Sequence, residues 1–207
     1  MKKIIFIAFT VFISLYLSAE PGNLQGVLNS ITLNKVNEGD FSQEKTVPGM
    51  KRSLKSSGKY VFSTEGIIWN TEKPVNSIIA LTSSKLIQKS PDGSISVLDA
   101  STNKEFKNVS ETISSIFNGN INQLEQFFKI DFSAKDESWS MLLSPKSGNI
   151  SSAINKISIY GSGNNTDSKI DSLVLEQADN SCVKYFFTNQ KYRDSLSVEE
   201  KNFFAQN

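Results

Sequence analysis

The sequence predicts a mainly-β fold, a curved antiparallel sheet with helices laid across one face. Three observations predict it. From Phe41 to about Val97 apolar residues recur at every second position, the period of a half-buried strand. Around Val109 to Phe128 the spacing lengthens to that of a helix. From Trp139 to Phe187 the two-residue alternation returns. Two strand blocks separated by a helical pair, with a further helix in front, are accounted for by one sheet with helices packed on it.

The elements follow in order. Leu24, Val27, Leu28 and Ile31 fall on one helical face, so Gly22 to about Asn34 is an amphipathic helix that Gly26 weakens. Asn37-Glu38-Gly39-Asp40 has turn composition. Tyr60 and Phe62 share one face of a strand, with Val61 and Ser63 opposite. Ile67, Trp69 and Thr71 share a face of the next. Ser56-Ser57-Gly58 and Thr64-Glu65-Gly66 are turn or bend signals between strands. Strand follows over Asn76 to Leu81. Leu86-Ile87 and Ile95 to Leu98 are shorter strands around the turn Ser90-Pro91-Asp92-Gly93.

The period then switches. Val109, Ile113, Ile116 and Phe117 form a helical face, with Ser110 as N-cap and Gly119 as the stop. A second short helix carries Ile121, Leu124, Phe127 and Phe128. Strands resume after Lys129. Trp139, Met141 and Leu143 alternate with Ser140 and Leu142 up to Pro145. Ile157–Tyr160, Ile170–Leu175 and Val183–Phe187 complete the strands, with a loop over Gly161-Ser162-Gly163-Asn164-Asn165. Ser197-Val198-Glu199-Glu200 fits a capping box ahead of Phe203 and Phe204, so a brief helix ends the chain.

The N-terminus has the form of an export signal. Lys2 and Lys3 precede an apolar run from Ile4 to Leu17, and Ser18-Ala19 offer small residues for cleavage. The run is shorter than the roughly 20 residues of an ordinary spanning helix. Residues 1–19 are therefore expected to be a signal peptide cleaved near Ala19, with an uncleaved anchor as the alternative. Residues 20–207 are expected to form a single exported domain, in the periplasm.

Composition excludes several functions. Loss of Lys2 and Lys3 turns the formal charge of +1 into −1, and the basic residues are scattered, so no nucleic-acid partner is expected. The densest basic group, Lys51-Arg52 with Lys55, reads as a solvated strand edge. Histidine is absent, which removes the Ser-His-Asp and Cys-His arrangements and the commonest metal ligand together. The carboxylates show no acid–base spacing. No enzyme activity, metal or cofactor is expected. Cys182 is alone, so it reads as a buried thiol or, alternatively, as a site of intermolecular bridging.

The apolar residues of the two strand blocks and the helices supply two large surfaces facing each other. Either they interdigitate into a dry core or they enclose a pocket.

A family resemblance runs along the chain. Phe41-Ser42-Gln43 resembles the early F-x-Q strand of the LolA-like periplasmic lipoprotein carriers. Gly58 to Phe62 resembles their G-x-f-x-F step, and Gly66-Ile67-Ile68-Trp69 with Pro74 their G-x-x-W-x-x-x-x-P. Trp139 to Pro145 is similar to their W-x-L-x-P strand. Ile154 to Ile159 with Gly161 is similar to I-x-x-I-x-l-x-G. Asp179 to Phe186 resembles D-x-T-x-I-x-F, with Ser181 for Thr, and Leu196 to Phe203 the tail of a divergent subfamily. Each motif alone is weak; their common order over most of the mature chain is the specific part.

The resemblance implies an unclosed antiparallel β-barrel with a helical lid over an apolar cavity. It implies a carrier that shields the acyl chains of lipoproteins or lipids on the way to the outer membrane, with membrane donor and acceptor proteins as further partners. On that reading Phe62, Ile67, Trp69, Met141 and Leu143 line the cavity, and Ile113, Ile116, Phe117, Leu124 and Phe127 form the lid's inner surface. The protein is expected to be a monomer. A sensor of lipids or lipoproteins that uses the same fold is the alternative. Typical members carry an arginine six residues before the motif tryptophan, which ties down the lid. Ser63 stands there instead, and a short neutral hydroxyl cannot make that charge-assisted contact. The departure points to a related but different cargo, such as a free lipid or glycolipid.

Overall fold

The fold is built by local pairing. In the computed structural model, which describes residues 22–33, 35–99, 115, 120–146 and 149–206, each strand lies antiparallel to its neighbours. The first six are β1 (Val36–Thr46), β2 (Leu54–Ser63), β3 (Ile67–Lys73), β4 (Ser77–Leu81), β5 (Lys85–Lys89) and β6 (Ile95–Asp99). The second block is β7 (Phe128–Lys135), β8 (Ser138–Pro145), β9 (Ile154–Ser162), β10 (Lys169–Gln177) and β11 (Cys182–Arg193). Their order is β6-β5-β4-β3-β2-β1-β11-β10-β9-β8-β7. Each block is a meander, and the long pairing of β1 with β11 joins the two. Strands β6 and β7 stand at opposite edges, so the sheet does not close.

Four helices accompany the sheet among the described residues: α1 (Leu24–Leu33), α2 (Ile121–Phe127), α3 (Asn149–Ala153) and α4 (Val198–Phe204). None is long and apolar enough to cross a membrane. Alternation along the strands produces two apolar faces. Tyr60 and Phe62 of β2 and Ile67 of β3 join one cluster, with Trp69 packed against it; Ile68, one residue away, joins another, with Val61 packed against that. The inner cluster also takes Val27, Leu28 and Ile31 of α1, Leu124 of α2 and Ile150 of α3. The outer cluster takes Phe204 of α4 together with Val36, Ala80, Ile87 and Leu196.

Helix α4 therefore corrects the expectation that all helices share one face. Its capping box is present: the Ser197 hydroxyl accepts from the Glu200 N–H at 3.2 Å, and Glu200 accepts from the Ser197 N–H at 2.7 Å. Its place is set by Arg193, which donates through Nε to Glu38 at 2.8 Å and through Nη2 to both oxygens of Glu200 at 2.6 and 2.7 Å. In the β1–β11 register Arg193 stands opposite Val36 and Glu38 stands opposite Lys191, two residues along β1 from Val36 and so on the same outer side.

Two predicted turns are strand. Asn37-Glu38-Gly39-Asp40 runs within β1, and the pairing with β11 slips between Glu38 and Asp40. A side chain on Gly39 would approach the Thr188 carbonyl to 2.7 Å. A bulge and a turn draw on the same residues, which is why the composition misleads. Ser56-Ser57-Gly58 likewise lies within β2, with a slip against β3 between Ser57 and Gly58. Thr64-Glu65-Gly66 is the turn it reads as, closing β2 onto β3. Helix α3 has no counterpart in the sequence reading. Gly26 finds a reason as well: its missing side chain admits Asn165, whose Oδ1 accepts from the Asn23 N–H at 2.8 Å at the start of α1.

Candidate functional site

The inner face is a band of apolar side chains in register across the sheet. Phe132, Met141, Ile159, Leu173 and Tyr185 stand opposite one another from β7 to β11. A parallel row runs through Ile130, Leu143, Ile157 and Leu175. Beyond Tyr185 the band becomes aromatic. The Trp69 ring lies 5.4 Å from Tyr185, 5.3 Å from Phe62, 6.1 Å from Phe41 and 6.5 Å from Phe187, all between centroids. Tyr60 stacks against Phe62 at 4.4 Å, and its hydroxyl donates to Asn37 at 3.0 Å. Burial pushes the Tyr60 pKa well up, so that hydroxyl keeps its proton.

Of the predicted cavity and lid residues, the structure brings seven together. Phe62, Ile67, Leu124, Met141 and Leu143 are buried in the inner cluster, and Trp69 and Phe127 pack against it. Ile113, Ile116 and Phe117 lie outside the described residues, as do the predicted leader and its cleavage site. Sequence reasoning missed Tyr60, Phe41, Tyr185 and Phe187 as members of the site. Their signal was available: Tyr185 and Phe187 alternate on β11 in the strand period.

Coverage of the inner face is graded. At the β7–β10 end, Leu124, Phe128, Leu143 and Ile159 are fully enclosed by α1, α2 and α3. Toward β6 burial declines: Trp69, Ile79, Leu81 and Leu86 are half-buried, and Leu98 is exposed. A hollow touching the cluster, lined by Ile31, Phe62 and Ile170 with Lys35 and Asn37, holds only about 20 Å³, room for about one water. A larger hollow, about 830 Å³, lies on the outer face beside α4, between Glu38, Asp40, Lys59, Ile68, Ile78 and Phe203. The inner surfaces thus pack on one another where the helices cover them.

Ser63 is placed by the hairpin it closes. Its Oγ donates to the Gly66 carbonyl at 3.1 Å and accepts from the Glu65 and Gly66 N–H groups at 3.2 and 3.3 Å. It stands opposite Val36, on the outer side of β2, away from Phe62. A side chain at this position does not enter the inner face. Cys182 is half-buried on the outer side, opposite Thr46 and Glu176, which corrects its reading as a core thiol. Lys51 and Arg52 are exposed in the β1–β2 connection, and β2 is an interior strand of the sheet. No group of three or more carboxylate or thiol side chains that could hold a metal comes together among the described residues.

No family model and no curated protein matches the chain. Its architecture, an unclosed antiparallel sheet with helices over the concave side, is similar to solved structures. A DUF1329 family protein from Desulfovibrio piger aligns at TM-score 0.48 and 10% identity, over 84% of this chain and 92% of that one. A LolA superfamily protein from Nitrosomonas europaea aligns at TM-score 0.46 and 11% identity, over 88% of this chain and 96% of that one. An outer membrane lipoprotein-sorting protein domain from Vibrio parahaemolyticus aligns at TM-score 0.45 and 7% identity, over 83% of this chain and 92% of that one.

Proposed function

We propose that this chain is a periplasmic carrier that shields acyl chains of lipoproteins or lipids in transit toward the outer membrane. The observation that carries the reading is the inner face itself. Its apolar cluster draws on eight strands, is closely packed under α1–α3, and is progressively uncovered from Trp69 toward β6. The motifs that resemble those of the lipoprotein carriers lie on strands of this sheet: Gly58 to Phe62 on β2, Trp69 on β3 and Trp139 to Pro145 on β8.

The physics fits a carrier. An acyl chain costs about 0.8 kcal/mol for each CH₂ left in water, so a dry surface holds it strongly. A carrier must also release its load. Helices α2 and α3, of 7 and 5 residues, are too short to be stable alone and hold their place only by packing. A chain entering beside Trp69 extends the dry surface by lifting such elements, with a modest difference between the closed and loaded states. No step of this function calls for catalysis.

The test is a titration of the purified chain with a fluorescent acyl probe, followed by competition with lipid. Saturable binding at one or a few sites is expected, with a shift in tryptophan emission that Trp69→Phe removes. A folded protein that takes up no probe sinks the reading and leaves the inner face a packed core. Transfer of bound probe to acceptor membranes separates a carrier from a sensor, which would retain its ligand and act on a partner protein.

A further inference from the structure

Trp69 carries an incomplete hydrogen bond. Its indole Nε1 is buried and has no partner among the described residues. Buried N–H groups are nearly always paired, because water is lost and nothing replaces it. The rings around Trp69 are Phe41, Phe62, Tyr185 and Phe187, and the three phenylalanines offer no acceptor. Of these four rings only Tyr185 carries a polar group; Tyr60, opposite Trp69 on β2, already donates its hydroxyl to Asn37. Burial raises the Tyr185 pKa, so the Tyr185 hydroxyl is a neutral group with a proton to donate.

These two groups stand at the end of the apolar band. Tyr185 closes the row that runs through Phe132, Met141, Ile159 and Leu173, and Trp69 packs on Tyr185. A molecule that matches this layout has a long apolar part and an acceptor oxygen at its head. We propose that the Trp69 indole N–H, with the Tyr185 ring packed on it at 5.4 Å, binds the carbonyl oxygen at the head of an acyl chain, with the Tyr185 hydroxyl as a second donor. The site therefore selects ester- or amide-linked acyl chains over plain alkyl chains. None of the rings packed on Trp69 is cationic, so the site suits a neutral carbonyl rather than a free carboxylate, whose buried charge would lack a counter-ion. The inference rests on the carrier reading and adds to it the polar element of recognition.

A matched pair of ligands tests it. Displacement of a bound acyl probe is measured with 1-palmitoyl lysophosphatidylcholine and with 1-O-hexadecyl lysophosphatidylcholine, both below their micelle concentrations. The two share headgroup and chain length and differ in the carbonyl. The acyl form is expected to bind about fivefold to tenfold more tightly, the size of one hydrogen bond recovered from an unpaired donor. Trp69→Phe, which keeps a ring and loses the N–H, should bring the ratio to about one, and Tyr185→Phe should lower it. Equal affinities for the two ligands in the unmutated protein overturn the inference while the carrier reading stands. A ratio unchanged in folded Trp69→Phe overturns the assignment to Trp69. Displacement by neither ligand, with no probe uptake, overturns both the inference and the carrier reading.

Discussion

Single residues decide how the two faces of the sheet are used. Arg193 ties β1, β11 and α4 together on the outer face, and Glu200 serves both it and the N-cap of α4. Burial pushes the Glu200 carboxyl up, but hydrogen bonds from Arg193 and from the Ser197 N–H outweigh it and hold the group below its ordinary 4.5. A carboxyl lowered on folding contributes stability that is full above its unfolded pKa and is lost as pH falls through the folded value. Chemical unfolding at a series of pH values should therefore show the native protein losing stability from about pH 4.5 downward, with a shallower loss in Glu200→Gln. Equal slopes in the two proteins would mean that the Arg193 pairing adds nothing. Ser63 makes a second residue-scale prediction. Because it closes a hairpin on the outer side, Ser63→Arg should cost about 1–2 kcal/mol in a urea melt through lost hydrogen bonds. It should leave acyl-probe uptake unaltered in stopped-flow mixing. Slower uptake would place this position on the inner face, against the register with Val36.

At the scale of elements, much was legible and some was not, for definite reasons. Strands β2, β3 and β8 show in the sequence because Phe62, Trp69 and Met141 belong to clean alternations, and parity alone separates the inner Trp69 from the outer Ile68. The capping box of α4 is legible because it is a local contact. The face on which α4 lands is not, since that depends on Arg193 meeting Glu38 across β1 and β11. The polar run at Asn37–Asp40 misleads because Gly39 serves a bulge rather than a turn. Helix α3, Asn-Ile-Ser-Ser-Ala, is too short and too polar to show a helical period. The β2–β3 slip yields a prediction at this scale. A methyl group on Gly58 would lie 2.0 Å from the Asn70 carbonyl oxygen, and strand backbone cannot yield as a side chain does. Gly58→Ala should destabilise by about 1–3 kcal/mol, read from the urea midpoint. A change within a few tenths of a kcal/mol would mean that β3 sits further from β2 than the register implies.

At the scale of the whole molecule, the proposed function rests on a sheet that does not close. The two meanders meet at β1 and β11, leaving β6 and β7 as separate edges and one inner apolar cluster that runs from β3 to β7 across the junction. Sequence periodicity reveals that both blocks have an apolar face; it cannot reveal that the faces join in register at Phe41–Phe187 and Gln43–Tyr185. That junction places Tyr185 beside Trp69 and makes one long surface from two halves. The central claim is that this surface exists to carry acyl chains. Mass spectrometry of lipid extracted from the protein, purified without detergent from its native host, tests it most directly. The account predicts an acylated lipid or lipopeptide in near-stoichiometric amount, lost from the protein after incubation with acceptor membranes. A folded protein that emerges free of lipid and gains none on exposure to the host's lipid extract would contradict it.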